Sequence, residues 1–472
     1  MKRKTKIVCT IGPASESEEI LEKLIDAGMN VARLNFSHSS SEEQGERIKR
    51  IRKVSEKMNR FIGIMADTKG PEIRTGIFED GKAYFKKGDL VWVLKEEVVG
   101  NSERFSISCP EVFTDVSPGD FLLIDDGKIR LDVLECDGEK LKCQVRNGGY
   151  IKSKKGVNVP HVHLSMPFLS KKDDDDIHFA ALNGVDMIAA SFVRRAEDVL
   201  AIRNLLKEIG KEDIEIIAKI ENQEGYDNLK EILDVADGIM VARGDLGVEI
   251  ATEFVPIYQK KIIQMANEYG KPVIVATHML ETMMSSPRPT RAEASDVANA
   301  ILDGADAVML SGETAAGEYP VEAVQTMDKI AKAIEEIFPY EEKLQRSIMS
   351  SQRTVNDAIG ISVAQAALTL PNVKAIVAFT ETGGTAKRMC KFRPCVPIIA
   401  IADNAEACRR LSYYFGVTAT YRDVVTDIMR FNPVAMEVAK SFGYQSGDTI
   451  IITSGWGQEH GTTNSMRIIQ IE

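Results

Sequence analysis

The sequence predicts an α/β protein: an eight-stranded parallel barrel, an all-β segment inserted into it, and an open α/β sheet at the C-terminal end. Three observations predict this class. Apolar runs of strand length alternate with helical stretches, eight such runs occur before residue 339, and a series of β hairpins separates the third run from the fourth. Eight strand–helix units are the number of the TIM (β/α)8 barrel.

The first three predicted strands lie before the insertion. They are Lys6 to Thr10, Val31 to Asn35 and Phe61 to Ala66. Ser15 is expected to cap the first helix, which runs to Ala27, and a second helix covers residues 41–58. This strand–helix alternation is typical of the first part of an α/β barrel.

Between residues 77 and 159 the pattern changes to short β-type runs separated by Asp-Gly and Gly-Asp pairs. The runs are 82–85, 90–94, 104–107, 121–124, 128–134 and 140–145. This pattern predicts an all-β insertion, which we assign to residues 71–166. Hinges are expected near Gly70-Pro71 and between Gly156 and Pro160, so the insertion could swing as a lid.

The alternation of strands and helices resumes after Pro167. Five further barrel strands are predicted at 186–191, 214–219, 238–242, 271–277 and 307–311, so that residues 1–70 and 167–338 form the barrel. A separate α/β domain is predicted at residues 339–472. Its strands are expected at 375–380, 396–401, 417–420, 449–453 and 465–471.

Composition excludes several classes of protein. The chain has 472 residues, more than one hydrophobic core usually covers, so we expect two or three domains. A formal net charge of -11 gives no electrostatic footprint for nucleic acid or for an anionic membrane surface. We find no apolar run long enough for a signal peptide or a membrane span. Seven scattered cysteines without C-x-x-C spacing favour reduced thiols and a cytoplasmic protein.

Two consecutive strands of the second half end in charged residues. The run 238–242 leads into Gly244 and Asp245, and the run before it ends in Lys219 and Glu221. Alternation places Lys219 and Glu221 on one face of their strand. A cation beside two carboxylates at adjacent strand ends suits a divalent ion and an anionic substrate; the alternative is a structural ion pair.

Polar residues also end or directly follow the first three strands. They are Thr10, Arg33, Asn35, Ser37, Asp67 and Thr68. In an α/β barrel the active site is built from these carboxyl-terminal strand ends. Simpler explanations stay open for single residues. Ser37 could serve merely as the cap of the next helix, and Asp67 could merely accept a hydrogen bond from a buried backbone amide. Their recurrence at equivalent strand ends favours function.

A glycine-rich turn follows the first strand of the C-terminal domain. Thr380-Glu-Thr-Gly-Gly-Thr385 precedes a helix that begins with the basic residues Lys387 and Arg388. Free amides, hydroxyls and glycines at a helix start form a phosphate cradle; the alternative is a plain strand-to-helix turn. A second glycine loop, Gly455 to Gly461, could fold over such a ligand.

Seven motifs are spread along the chain. They are Ile11-Gly-Pro-Ala-Ser15, Arg33-Leu-Asn-Phe-Ser-His38, Asp67-Thr-Lys-Gly-Pro-Glu-Ile-Arg-Thr-Gly76, Lys219-Ile-Glu-Asn222, Ala242-Arg-Gly-Asp-Leu-Gly247, Pro287-Arg-Pro-Thr-Arg-Ala-Glu293 and Leu310-Ser-Gly-Glu-Thr-Ala315. Together they resemble the motifs of the pyruvate kinase family. They follow the family's order, and the insertion and the C-terminal domain fall where that family has its lid and regulatory domain. The resemblance implies that phosphoenolpyruvate and ADP give pyruvate and ATP in glycolysis, commonly in a homotetramer.

The resemblance implies roles for residues at the mouth of the barrel. By similarity, Lys219 stabilises charge on the migrating phosphoryl group and Arg33 holds the phosphate, which matches the demand of phosphoryl transfer for positioned cations. The amides of Gly244 and Asp245 would receive the substrate carboxylate. Thr277 would position the substrate and a proton relay; its hydroxyl is too weak an acid to be the ultimate proton source, so a water chain is more plausible.

Metal and nucleotide sites follow from the same resemblance. Glu221 and Asp245 resemble ligands of Mg²⁺ (or Mn²⁺), with magnesium favoured by the all-oxygen set. The implied K⁺ ligands are Asn35, Ser37, Asp67 and the Thr68 carbonyl. Glu72 matches the family members that require potassium, where others carry lysine. The implied nucleotide contacts are Asn35, His38, Arg74 and Lys172, of which the last two suit ADP phosphates.

The sequence departs from the family pattern at His278, where glutamine is usual. We interpret His278 as a hydrogen-bonding substitute behind the site, with a titrating relay as the alternative.

The implied site for a phosphorylated effector comprises Thr380, Thr382, Gly383, Gly384, Thr385 and Trp456. The arginine that some relatives carry near Trp456 is not evident, so fructose bisphosphate, ribose phosphate and AMP stay open.

Two other classes of function are kept as alternatives. One is a magnesium-dependent carbon–carbon lyase acting through an enolate, and the other is a catalytically silent scaffold. Arg74 and Lys172 argue against the first, and the intact set of cations and carboxylates argues against the second.

Overall fold

The computed structural model describes residues 3–37, 39–423, 428–455 and 462–472. Within these ranges eight parallel strands close into a barrel, a β-rich segment is inserted after the third strand, and a five-stranded sheet follows. The predicted fold class is confirmed. Among the described helices, none combines the length and the apolar character that a membrane crossing requires.

The barrel begins with five elements. They are β1 (Lys6–Thr10), α1 (Glu18–Ala27), β2 (Val31–Asn35), α2 (Ser41–Lys57) and β3 (Gly63–Asp67). The prediction that Ser15 caps α1 is wrong, because Ser17 is the cap and its side chain accepts from the amide of Ile20 at 3.3 Å. Ser15 is buried and accepts instead from the amide of Gly12 at 3.2 Å.

The insertion is a β structure with its own core. Its elements are β4 (Ile73–Arg74), β5 (Lys82–Phe85), β6 (Leu90–Leu94), β7 (Arg104–Ser106), α3 (Val112–Asp115), β8 (Phe121–Ile124), β9 (Ile129–Cys136), β10 (Lys140–Val145), β11 (Gly149–Lys152) and β12 (Gly156–Asn158). Seven of these strands form one sheet in the order β4-β12-β8-β9-β10-β6-β7, and β5 pairs with β11. Phe78, Phe85 and Phe105 pack against one another in its interior.

The barrel resumes with alternating helices and strands. These elements are α4 (Lys171–Leu182), β13 (Met187–Ala190), α5 (Ala196–Glu208), β14 (Glu215–Ile220), α6 (Gln223–Asp227), α7 (Leu229–Val235), β15 (Gly238–Ala242), α8 (Arg243–Glu249), a 3-10 turn (Thr252–Phe254), α9 (Val255–Tyr269), β16 (Val273–Ala276), a 3-10 turn (Glu281–Met284), α10 (Arg291–Asp303), β17 (Ala307–Leu310), α11 (Gly312–Ala315) and α12 (Pro320–Glu336). The strands close in the order β1-β17-β16-β15-β14-β13-β3-β2. All of them are parallel, so their carboxyl ends meet at one mouth.

The C-terminal region forms an open sheet flanked by helices. Its elements are α13 (Tyr340–Met349), α14 (Val355–Thr369), β18 (Val373–Thr380), α15 (Gly384–Lys391), β19 (Ile398–Ala402), α16 (Ala405–Arg410), a 3-10 turn (Leu411–Tyr413), β20 (Val417–Tyr421), α17 (Ile428–Ser441), β21 (Thr449–Ser454) and β22 (Ser465–Gln470). The sheet order is β20-β19-β18-β21-β22, and β22 pairs antiparallel with β21.

The amino-terminal end of the barrel, which we call the barrel floor, is closed by the C-terminal region. Three buried charges define it: Lys6, Glu215 and Asp306. Each is met by a group from beyond residue 339. Asp306 binds the Arg393 guanidinium through both oxygens at 2.6 Å, Glu215 accepts from Tyr413 at 2.6 Å and from Lys387, and Lys6 donates to the Val417 carbonyl. Paired in this way, the carboxylates of Glu215 and Asp306 avoid most of the cost of burial.

Candidate active site

Lys219 lies at the centre of a buried polar cluster at the barrel mouth. It is the fifth residue of β14, and only 8% of its surface is exposed. Its ammonium nitrogen lies 3.0 Å from Asp67 Oδ1, 3.0 Å from Glu221 Oε1 and 2.7 Å from Ser191 Oγ. Burial disfavours the charged lysine, but Asp67 and Glu221 outweigh that effect and raise its pKa above the ordinary value. Lys219 is therefore a fixed positive charge.

Arg33 is joined to Lys219 through Asp67. Arg33 Nε lies 2.6 Å from Asp67 Oδ2, and its Nη1 donates to Thr10 Oγ1 at 3.0 Å. Burial alone would raise the pKa of Asp67, yet the two cations lower it below the usual range. The neighbouring strands β2 and β3, together with β14 one strand further round the barrel, thus bring two cations to the Asp67 carboxylate.

Glu221 has an oxygen without a hydrogen-bond donor. The side chain is fully buried, and its Oε2 accepts from the amide of Phe192 at 2.6 Å. Its Oε1 faces Lys219 but receives no hydrogen bond of acceptable geometry. Burial raises the pKa of Glu221 to about 8, with Lys219 opposing and Asp245 reinforcing the shift. A buried acceptor that lacks a donor suits a cation.

Glu221 and Asp245 fit a divalent ion only as a partial ligand set. Asp245 is exposed at the start of α8, where it lines the cleft below the insertion. Among the described residues no group of three His, Cys, Asp or Glu side chains forms a complete cage. Mg²⁺ ordinarily keeps several waters and takes one or two carboxylates together with substrate oxygens, so two carboxylates fit such a site.

Gly244 and Thr277 are brought together from neighbouring strand ends. The Gly244 amide donates to Thr277 Oγ1 at 2.8 Å, and that hydroxyl donates to the Ala276 carbonyl at 2.7 Å. A Cβ at position 244 would meet only ordinary contacts, of which Thr277 Oγ1 at 3.4 Å is the closest. The fold does not require glycine there, so close approach of a ligand is the better reason for it.

The predicted potassium ligands lie on the adjacent ends of β2 and β3. Asn35 and Asp67 are register partners, and the Phe36 amide donates to the Asp67 carbonyl at 3.0 Å. Asn35 Oδ1 accepts from the Ser37 amide at 3.0 Å, and the Thr68 carbonyl accepts from Ser191 at 2.7 Å. These oxygens have the hard character that a monovalent cation prefers.

Arg74 lies in the cleft between the insertion and the barrel. This cavity has a volume of about 640 Å³, and its lining includes Arg74, Lys155 and Asp245. Arg74 Nη2 is held by Glu72 at 2.7 Å, and Lys155 pairs with Asp125 at 2.7 Å. Two cations beside a carboxylate suit a polyphosphate held with a divalent ion.

The structure does not bring Lys172 into this cavity. Lys172 lies at the start of α4, where it pairs with Asp176 and donates to the Phe36 carbonyl at 3.2 Å, beside the end of β2. His38, the other predicted contact there, falls outside the described residues.

The predicted effector loop forms a compact set of hydroxyls and amides. Gly383 precedes α15 with φ 94°, a left-handed conformation that glycine adopts at low cost. The Thr385 amide donates to Thr380 Oγ1 at 3.4 Å, and Thr463 links Thr385 to Arg388 at 3.2 and 3.0 Å. A Cβ atom added at Gly384 would lie 3.8 Å from Thr382 Oγ1, so the two residues are close neighbours in the loop. Trp456 falls outside the described residues.

Two residues of the candidate site escaped prediction from sequence. Ser191 is 2% exposed and connects Lys219, Asp67 and the Thr68 carbonyl. Its position directly after the strand Met187–Ala190 was the available signal. Lys155 is the second of two consecutive lysines in Ser153-Lys-Lys155, and only the folded hinge places it near Arg74.

Comparisons with known proteins agree with this geometry. Residues 2–324 match the family described as "Pyruvate kinase, barrel domain", and residues 357–469 match "Pyruvate kinase, alpha/beta domain". A pyruvate kinase of Staphylococcus saprophyticus is 54% identical over 472 residues, which covers 99% of this chain and 80% of that protein. A pyruvate kinase of Staphylococcus epidermidis is 53% identical over 471 residues, with the same coverage of 99% and 80%. The crystal structure of a pyruvate kinase from Cryptosporidium parvum superposes with a TM-score of 0.95 at 39% identity, covering 100% of this chain and 96% of that one.

Proposed function

The chain belongs to the pyruvate kinase family, and on that premise we propose that Lys219 and Arg33 are the cations that handle the migrating phosphoryl group. The reaction transfers the phosphoryl group of phosphoenolpyruvate to ADP, giving pyruvate and ATP in glycolysis. Family membership sets aside the lyase and the silent scaffold. The observation that carries the proposal is the contact of Lys219 with Asp67, Ser191 and Glu221, one carboxylate away from Arg33.

Phosphoryl transfer concentrates negative charge on the moving group, so preorganised cations lower the barrier. Lys219 costs little reorganisation because three partners already fix its nitrogen. Arg33 offers a planar donor fork to the phosphate oxygens. The amides of Gly244 and Asp245 at the start of α8 are proposed for the substrate carboxylate. The Gly244 amide also donates to Thr277 Oγ1, which lies beside the site for the later protonation at the methylene carbon.

The proposed metal ligands are Glu221 and Asp245 for Mg²⁺ (or Mn²⁺), which would supply further charge neutralisation at the phosphates when bound. The donor-free Oε1 of Glu221 supports this assignment. For K⁺ we propose Asn35, Ser37, Asp67 and the Thr68 carbonyl. Arg74 and Lys172, with Asn35 and His38, are proposed for ADP, and Lys155 joins them because it lines the cavity with Arg74.

A coupled assay for pyruvate tests the catalytic assignment. Lys219→Met is expected to lower kcat by about a thousandfold or more, since a buried charge at the reacting group is lost. Lys6→Met is the matched control, because Lys6 is a buried lysine on another barrel strand at the opposite end. Burial lowers the pKa of Lys6 to about 7, so the folded protein loses little when a neutral side chain replaces this lysine. Comparable activity of Lys219→Met and Lys6→Met would refute the assignment.

The C-terminal loop is proposed as the effector site. Thr380, Thr382, Gly383, Gly384, Thr385 and Trp456 would receive a phosphate of a sugar bisphosphate, a ribose phosphate or AMP. Titrating each compound while following the saturation curve for phosphoenolpyruvate discriminates among them. Thr385→Ala should weaken the response, and a curve that none of the compounds shifts would end the proposal.

A cytoplasmic homotetramer is the proposed assembly. The edge strand β22 supports association, because in the described sheet its outer side lacks a paired neighbour. The seven cysteines are all free thiols, which suits a reducing compartment. Analytical ultracentrifugation tests the subunit number, and a monomer at micromolar concentration would contradict it.

A further inference from the structure

Arg243 lies between the last residue of β15 and Gly244, and its side chain is only 10% exposed. A guanidinium has five N–H donors in a planar fork. Five acceptors surround this one: the Ala276 carbonyl (Nε, 3.3 Å), the Thr277 carbonyl (Nη2, 2.7 Å), Met279 Sδ (Nη2, 2.9 Å), Asp296 Oδ1 (Nη1, 2.7 Å) and Gln259 Oε1 (Nη1, 3.3 Å). Three of them belong to the segment 276–279 that follows β16.

This segment has an unusual backbone. Thr277 and His278 have φ angles of 65° and 55°, a left-handed conformation in two consecutive residues that are not glycine. A β-branched residue rarely adopts it, because Cβ crowds the neighbouring carbonyl. Such a conformation persists only where the surroundings hold it. Arg243 supplies that restraint through the carbonyls of Ala276 and Thr277.

Both ends of Thr277 are held from consecutive residues of α8. Arg243 binds its carbonyl at 2.7 Å, and the Gly244 amide binds its hydroxyl oxygen at 2.8 Å. The hydroxyl proton is directed to the Ala276 carbonyl at 2.7 Å. The direction of Thr277 Oγ1 in the site is therefore set by Arg243 and Gly244 together, although Arg243 itself points away into the contact with Asp296 and Gln259.

We propose that Arg243 is a positioning residue for the protonation of enolpyruvate, acting through Thr277. The inference rests on the proposed function of this site. In that step the C2–O⁻ of the enolate becomes the C=O of pyruvate, the C2=C3 π electron pair forms a new C3–H bond with a proton supplied by solvent water, and no bond to phosphorus changes. A loss of Arg243 relaxes Thr277 and slows this step, while phosphoryl transfer at Lys219 and Arg33 continues.

The test separates the two half-reactions. In Arg243→Lys the single ammonium cannot reach acceptors on both sides of the fork. Exchange of the pyruvate methyl hydrogens with deuterium, followed by NMR, reports protonation and its reverse. ATP formed in a single turnover reports phosphoryl transfer. We expect the exchange rate to fall by about tenfold or more and the single-turnover rate by less than about threefold. Equal losses in both would overturn the proposal.

A double-mutant cycle tests the route through Thr277. If Arg243 acts through that residue, Arg243→Lys changes the exchange rate by less than about threefold in a Thr277→Ala background. If the two substitutions instead lower the exchange rate by factors that multiply in the double variant, the proposal is overturned.

Arg52→Lys is the matched control, since Arg52 also binds two carbonyls and one aspartate but at the other end of the barrel. It should leave the ratio of the two rates unchanged. Asp296→Asn, at a partly exposed position, loosens one contact of Arg243 and should give a smaller loss in the same direction; an unchanged exchange rate there counts against the proposal even if Arg243→Lys does not fold. Wild type must first form pyruvate, so a failed kinase assignment is recognised before these variants are compared.

Discussion

Ser191→Ala removes the hydroxyl that connects Lys219 to its surroundings. Ser191 Oγ accepts from Lys219 at 2.7 Å and lies 2.7 Å from the Thr68 carbonyl and 3.1 Å from Asp67 Oδ1. A hydrogen bond to a charged group contributes ~1.5–3 kcal/mol, and a neutral one ~1 kcal/mol. We therefore expect the free energy of unfolding to fall by about 2–4 kcal/mol.

The same substitution should lower kcat. Lys219 keeps Asp67 and Glu221, so its charge stays in place while its nitrogen gains freedom. A loss of ~1.4–2.7 kcal/mol of transition-state stabilisation corresponds to a decrease of about tenfold to a hundredfold. The KM for phosphoenolpyruvate should change much less, since the carboxylate contacts are not touched.

The measurement needs a suitable probe and a control. The two tryptophans are Trp92, in the insertion, and Trp456, so intrinsic fluorescence does not report the barrel. Circular dichroism or calorimetry is used for unfolding, and a coupled assay for turnover. Ser412→Ala is the matched control, because Ser412 Oγ is buried without a partner among the described residues. It should leave kcat unchanged and not lower stability. Turnover of Ser191→Ala within about twofold of wild type would refute the reasoning.

Four further predictions follow from the same geometry. Gly244→Ala should melt at the wild-type temperature, because the added methyl group meets only ordinary van der Waals contacts. The same methyl group should raise the KM for phosphoenolpyruvate by about tenfold, since it occupies the space where the substrate carboxylate would approach the backbone. An unchanged KM would contradict a carboxylate site there. His278→Gln should keep turnover within about twofold, since the His278 side chain is exposed and lies 3.8 Å from Glu281, and a tenfold loss with a changed pH profile would speak for a relay. Burial raises the pKa of Glu249 to about 7, so its contribution to the free energy of unfolding is fully present below pH ~4.3 and is lost as the pH rises through 7. Glu249→Gln should remove up to ~3 kcal/mol of this pH dependence, measured by calorimetry at several pH values. Plots of unfolding free energy against pH that run parallel for variant and wild type would count against the prediction. Glu72→Lys should give activity without potassium but weaken ADP binding, because Glu72 holds Arg74, and an unaltered potassium titration would exclude this role.

Much of the fold could be predicted because barrel strands are continuous apolar runs. The bounds of β1, β2 and β15 agree with prediction, since each run is fully or nearly buried and is ended by polar residues. The domain boundaries stay predictions. Three strands of the insertion, β4, β11 and β12, were missed because they are short and contain glycine or charged residues. They are strands only because a partner strand supplies hydrogen bonds across the sheet.

The site was predictable where chemistry follows directly from strand position. Lys219 and Glu221 were found because a lysine and a glutamate end an apolar strand, which is unusual in a core. Ser191 was not found, because a serine after a strand is common and its partner Lys219 lies 28 residues away. The restraint of Thr277 by Arg243 depends on a backbone conformation that residue type does not predict.

The barrel floor has a consequence for any attempt to shorten the chain. A fragment that stops near residue 338 would leave Glu215 and Asp306 without Lys387 and Arg393, and each carboxylate would then be a charge at the base of the barrel core without the cation that compensates it. Such a fragment should be insoluble or unfolded even though all eight barrel strands are present. The C-terminal region is in this sense part of what makes the catalytic half foldable, and truncation would have to be accompanied by neutral replacements at both positions.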